Sequence, residues 1–322
     1  MEQSNIANPD FTLPQNTFLH GGRYQVEEAL WAGRWWITYA VNDLYLERKA
    51  AIREFFPRWL LARKTGETQL RWLCTPQEQD EVTLRLKQGC VGMARLNLKG
   101  MAAMREVFLE NGTVYLAVDF PSGEPLDQIL RRGVRPGVEE CVQRFLPVLD
   151  TLDDMHKNGL LYLGLEPEDI LWNDSGAILL DCSASRICDC DAFTNAGIPG
   201  LGPFAPVELH TRSGILRGPW TDVYSVCAIM LWCLDHGKAP QNAMERVVQD
   251  SVMVPDGLPE WLEASLRKGM EIRPEDRWQS MGELRDALTP PYPDGDRPTK
   301  CVYAPPPINA KGFLGKLKGM FR

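Results

Sequence analysis

The chain has 322 residues, of which 44% are hydrophobic and 24% charged, and its formal net charge is −8. That length and texture suit one large two-lobed domain or two ordinary ones with real cores. An acidic balance weighs against nucleic acid as a partner, because phosphate binding rests on Lys and Arg. No apolar run reaches bilayer length; the longest, 223–234, is too short.

Residues 1–20 are polar with few apolar anchors and read as a leader. They carry neither the basic region nor the apolar stretch of a secretory signal. From Arg23 the texture turns strand-like. Tyr24 and Val26, then Ile37, Tyr39 and Val41, alternate with polar or small residues at the period of a half-buried strand. Residues 50–56 read as another strand. Residues 77–98 read as a helix, weakened at Gly89 and Gly92 by about 1 kcal/mol each. Asn111-Gly112 marks a tight turn before a strand over 113–118.

The texture then becomes helical. Val142, Phe145, Leu149, Leu152 and Met155 predict an amphipathic helix over 139–157, closed at Gly159. Short strands over 170–172 and 177–180 flank the turn residues 173–176. Thr221-Asp222 is placed to cap a helix that is apolar on nearly all sides, the pattern of a domain centre. Helices follow at about 241–250, 258–270 and 278–288. Pro290, Pro291 and Pro293 then stop the fold, and 290–310 reads as a Pro-rich linker. The nine cysteines are odd in number and scattered, which fits free thiols in a reducing cytoplasm. Cys182, Cys188 and Cys190 lie close together without the second ligand pair of a zinc site.

Several segments carry a resemblance in order. Arg23-Tyr24-Gln25-Val26, followed by Leu30-Trp31-Ala32-Gly33-Arg34-Trp35-Trp36-Ile37-Thr38-Tyr39, resembles the opening of bacterial Hanks-type serine/threonine protein kinases. Ala51-Ile52-Arg53-Glu54 resembles their A-I-K strand, and 115–120 their hinge strand. Residues 162–169 resemble the H-R-D-x-K-P-x-N catalytic loop. Asp181-Cys182-Ser183 resembles D-F-G, and Ala205-Pro206-Val207-Glu208 resembles A-P-x-E. The likeness covers 21–289. It implies an α+β, two-lobed protein-kinase-like fold, with a small antiparallel-sheet lobe over about 21–119 and a larger helical lobe over about 120–289. It also implies that Glu208 and Arg277 form a buried ion pair, and that Asp222 hydrogen-bonds the catalytic-loop backbone.

Against that family the chemistry is rewritten. Phosphoryl transfer needs a backbone loop and a lysine on the phosphates, a glutamate holding that lysine, a base, and metal ligands. Trp31 and Trp36 fall on the first and third glycine positions of the loop, and only Gly33 remains; indoles there are expected to fill phosphate space. Arg53 replaces the lysine, and the glutamate position falls at Gly89. That leaves Arg53 for a phosphate or for a carboxylate such as Glu54. Gly164 stands at the base position, a loss of roughly 10²–10⁴ in rate, or about 3–5 kcal/mol of barrier. Glu166 replaces the second lysine and would repel a developing anion. Asp169 and Asp181 remain as oxygen ligands suited to magnesium. The resemblance thus implies a degenerate cleft of Gly33, Arg53, Asp119 and Phe120 that takes ATP and Mg²⁺ weakly.

The expected function is that of a pseudokinase: a protein-binding or regulatory signalling module whose partner is a protein, such as an active kinase. The alternative is an atypical ATP-dependent serine/threonine kinase with Asp169 or Glu166 as base. In the tail 311–322, Phe313, Leu314, Leu317, Met320 and Phe321 can share a helical face beside Lys316 and Lys318. That segment reads either as a helix on an anionic membrane surface, at the inner face of the membrane, or as one packing on a partner.

Overall fold

The computed structural model describes residues 9–96, 98–120, 122–174, 176–180, 201–210, 217–247 and 252–289. The small lobe is a six-stranded antiparallel sheet in the order β1-β2-β3-β4-β8-β7. Its strands are β1 (Phe18–Leu19), β2 (Tyr24–Ala32), β3 (Trp36–Asp43), β4 (Arg48–Phe55), β7 (Met104–Glu110) and β8 (Thr113–Asp119). A short pair, β5 (Leu61–Ala62) and β6 (Arg71–Trp72), follows β4. The sheet curls until its edges meet. Glu106 on β7 accepts from Arg23 at 2.8 Å and from the Tyr24 hydroxyl at 3.1 Å, and lies 2.9 Å from His20. These side-chain contacts link the two edges across the curl.

Helix α1 (Pro76–Leu96) lies against the sheet. A reciprocal cap starts it: Thr75 Oγ1 accepts from Glu78 N at 3.3 Å, and Glu78 Oε2 accepts from Thr75 N at 2.9 Å. Val82, Leu86, Cys90 and Met93, spaced three and four apart, form its buried face.

Strands β3 and β4 are buried on both faces rather than one. The face away from the cleft carries a charged core. Glu54 pairs with Arg63, and both side chains are fully buried. Glu54 also accepts from the hydroxyls of Tyr39 (2.8 Å) and Tyr115 (2.5 Å). Arg63 in turn donates to Phe11 O at 2.8 Å, and the Tyr39 oxygen accepts from Leu13 N at 3.0 Å. The described part of the expected leader is therefore built into the lobe: Leu13 and Leu19 are 4% and 0% exposed. The polar texture of 1–20 hid this, because two buried leucines and main-chain groups do the anchoring.

The large lobe contains α2 (Leu126–Arg131), α3 (Val138–Lys157), α4 (Pro219–Leu234), α5 (Ala243–Arg246), α6 (Glu260–Gly269) and α7 (Met281–Leu288). A small sheet of β9 (Glu124–Pro125), β10 (Ile170–Asn173) and β11 (Gly176–Leu179) has β10 at its centre. Helix α4 is the axis of the core, buried without a break from Thr221 to Leu231. Its cap differs from the expected one. Gly218 is the N-cap, and its N–H donates to Thr221 Oγ1 at 3.1 Å, while Asp222 points away to another task. The lobes are tied by backbone bonds, with Ala102 N donating to Leu179 O at 2.9 Å and Leu179 N to Gly100 O at 2.8 Å. Between them, Leu30, Trp31 and Ala40 of the small lobe pack on Leu171 and Leu180 of the large one.

Arg63→Ala strands the Glu54 carboxylate in an apolar interior. The expected result is a loss of about 3–5 kcal/mol in urea unfolding. A Glu54→Leu/Arg63→Met pair should recover most of it, and failure to recover would show that the ion pair is not the cause.

Candidate functional site

The loop at 162–169 is shaped by Asp222. Its carboxylate is buried, and accepts from Tyr162 N and Leu163 N, each at 2.8 Å; Oδ2 also lies 2.7 Å from His156 Nε2. The chain bends sharply over it, with φ +54° at Leu163 and +98° at Gly164. A left-handed leucine costs roughly 1–2 kcal/mol, and the two charge-assisted bonds hold it there. A Cβ at Gly164 would meet open space, so backbone conformation and not room favours glycine. Tyr162 and Leu165 turn into the core of the large lobe.

Beyond this bend, Pro167–Asp169 make one tight turn, with Asp169 Oδ2 accepting from Glu166 N at 3.0 Å. Glu166 and Glu168 thereby reach the hairpin between β2 and β3. Arg34 N donates to Glu168 Oε1 at 2.6 Å, and the Arg34 guanidinium lies 3.5 Å from Glu166 Oε1. Gly33 N closes the hairpin onto Trp36 O at 2.8 Å. A Cβ on Gly33 would lie 2.7 Å from Glu168 Oε1, so the close approach of this carboxylate requires the glycine.

The carboxylates here are crowded and half-buried. Burial pushes Glu166 up to about 8, with Arg34 opposing and Glu168 adding to the shift. Burial and the Asp127 carboxylate push Glu168 up to about 7, against the Arg34 amide and guanidinium. Asp169 is held well above the usual carboxylate range by burial and by Glu168, while Arg53 pulls the other way. Asp127, at the start of α2, is raised by burial and countered by Arg131 at 3.2 Å. Loss of water and mutual repulsion both disfavour the charged forms.

The two tryptophans part company. Trp31 sits between the lobes with Leu171 and Leu180, whereas Trp36 packs on Phe55 within the small lobe, ring centroids 5.4 Å apart. Arg53 is buried on β4 with its guanidinium 5.5 Å from the centre of the Trp36 ring. Glu54 is not its partner; the period of the strand sends Glu54 to the opposite face and to Arg63. Gly89 is buried in α1 and supplies no charge. Asp119 lies in an exposed ion pair with Arg105 (2.9 Å) and Arg48 (3.3 Å), and Phe120 is 40% exposed. Neither side chain joins the hairpin and loop. Glu208 and Arg277 form a bidentate pair at 2.7 and 3.1 Å with no solvent contact. Asp181, the three clustered cysteines, the linker 290–310 and the tail 311–322 lie outside the described residues.

Among the described residues no three His, Cys, Asp or Glu side chains converge on a metal position. The described residues do not fit a nucleoside triphosphate as they stand. The amide at the hairpin tip is bonded to Glu168, the space over Gly33 holds the same carboxylate, and Trp31 packs the gap between lobes. Sequence reasoning missed Arg34, Glu168 and Asp127. The one available signal was the density of acids at Glu166, Glu168 and Asp169, but only the fold shows which base they meet. Among the described residues no helix is long and apolar enough to cross a membrane.

No protein-family model matches the chain. Curated proteins do. A probable serine/threonine-protein kinase of Clostridium acetobutylicum is 21% identical over 279 residues, covering 83% of this chain and 39% of its own length. The probable serine/threonine-protein kinase PknB of Bifidobacterium longum is 23% identical, with 90% and 42% covered. The serine/threonine-protein kinase PknA of Mycobacterium tuberculosis is 26% identical, with 67% and 53% covered. The chain thus spans about half or less of the length of these relatives. Among solved structures, one described as the apo form of PpkA-294 superposes with a TM-score of 0.71 at 23% identity, covering 86% of this chain and 99% of that one. The fold is therefore that of a two-lobed kinase domain.

Burial pushes Glu166 up to about 8 in the fold, from the ordinary 4.5. Below the lower value it is neutral in both states and costs nothing; above the higher one it is a buried charge. Its contribution to stability is therefore lost as pH rises through this window. Glu166→Gln should gain stability relative to wild type between about pH 5 and about pH 9 in urea unfolding. A stability difference independent of pH would refute the assignment.

Proposed function

We propose, from the kinship in sequence and fold that ties this chain to the bacterial Hanks-type serine/threonine protein kinases, that it is a degenerate member acting as a binding or regulatory module rather than a phosphotransferase. The observation that carries this reading is Gly164. The position that resembles the family's base has no side chain, and its φ of +98° disfavours any residue that has one. Glu166, at the place of the second lysine, adds a carboxylate where developing negative charge needs stabilising. Asp222, Glu208 and Arg277 meanwhile keep the bonds that hold the lobe together.

The active-kinase alternative needs a substitute base. Glu166, pushed up to about 8 by burial, is engaged by the Arg34 guanidinium 3.5 Å away, in the contact between loop and hairpin. Asp169 is shifted in the same direction, and one of its oxygens already accepts the Glu166 amide. The cellular partner in this reading is a protein, an active kinase being the first to look for by co-purification. The basic tail 311–322 is a second attachment, to an anionic membrane surface, and its deletion should abolish binding to anionic vesicles.

The full chain with ATP and magnesium should transfer no phosphate to itself or to a generic acceptor protein. Gly164→Asp alone should not restore transfer, and should lower stability by about 1–2 kcal/mol through its left-handed backbone. Autophosphorylation of the wild type that disappears in Asp181→Ala would sink the reading.

A further inference from the structure

The hairpin that would wrap a phosphate is already holding a carboxyl oxygen. The Arg34 amide donates to Glu168 Oε1 at 2.6 Å, and the absent side chain at Gly33 is what admits that carboxylate. A main-chain amide beside a glycine, aimed at an acid oxygen, is the chemistry of backbone phosphate binding. The Arg34 guanidinium adds a second tie, to Glu166. A third comes from the strand. The pairing of β2 with β3 slips between Ala29 and Trp31, and Leu30 and Trp31 are consecutive buried residues in the packing between lobes. Such a bulge re-aims side chains; here it adds an apolar seal to the polar latch. Beside this seal, Thr38 pairs with both Trp31 and Arg53, and its buried hydroxyl has no hydrogen-bond partner.

We propose that the β2–β3 hairpin is an autoinhibitory latch in which Glu168 stands in for a ligand phosphate, so that the cleft admits a nucleoside di- or triphosphate only after the hairpin leaves the catalytic loop. This rests on reading the cleft as a degenerate kinase cleft. It goes further in naming what excludes the ligand: a displaceable side chain rather than a permanent loss of the site. Binding through a minor open state is weakened by the fraction that is open. A charge-assisted bond of this kind corresponds to a closed-state excess of about ten- to a hundredfold.

The test uses the full chain as wild type, Glu168→Ala and the isosteric Glu168→Gln, with ATP and ADP as probes, each with and without magnesium. Two readouts are taken: hydrogen exchange at the Arg34 amide, and the melting shift with nucleotide. Wild type should protect the Arg34 amide and show no shift. Glu168→Ala should lose the protection and bind nucleotide about ten- to a hundredfold more tightly, with Glu168→Gln between the two. Gly33→Ala should lose the same protection, because its methyl group displaces the carboxylate. The latch is overturned if wild type binds as tightly as Glu168→Ala, if the Arg34 amide is unprotected in wild type, or if opening it brings no nucleotide. Phosphate transfer is scored in parallel. Variants that bind nucleotide support the latch, and transfer by wild type would overturn the non-transfer reading alone.

Discussion

Asp222 sits in the middle of the large lobe without solvent contact, and its two oxygens accept the amides of Tyr162 and Leu163. A buried carboxylate needs such donors, because an uncompensated charge in that interior would cost several kcal/mol. In return it fixes a backbone that leucine alone would not adopt. The bend sends Glu166 and Glu168 toward the small lobe, and there they meet Arg34. The packing of Trp31 between the lobes lies beside that contact.

The charge distribution follows the same geometry. Four carboxylates, at Asp127, Glu166, Glu168 and Asp169, crowd the junction of the lobes, with Arg34, Arg53 and Arg131 as the cations that act on them. Burial raises every one of these acids, because loss of water disfavours their charged forms. The same crowding sets an internal carboxyl group on the backbone amide of Arg34.

The far face of the small lobe shows how an element can be recruited without changing its strand. Glu54 follows Arg53 by one residue and therefore points to the other side of β4. There it builds a sealed network with Arg63, Tyr39 and Tyr115, which also grips the residues before β1. The cleft and the outer face are thus two separate electrostatic systems divided by one sheet.

Local pattern was enough for most of the elements, though not for β7 or α2. The period of two in β3, the helical spacing of 142, 145, 149 and 152, and the apolar run after Asp222 place strands and helices to within a few residues, because each is a short-range property of the chain. The ordered motifs also placed Gly164 and Asp222 in one loop system. Long-range pairing decided the rest. Nothing near Arg34 in sequence shows that it meets residues 132 and 134 positions later. Nothing near Glu54 distinguishes Arg53 from Arg63 except which face of a sheet each reaches. The polar run at the start of the chain gave no sign that Leu13 and Leu19 are core. The sequence by itself determined that the chain builds two lobes and puts a glycine, Gly164, where the resemblance places a base. Only the tertiary structure decided what stands on the remaining glycine, because that depends on a bulge in one lobe and a buried aspartate in the other.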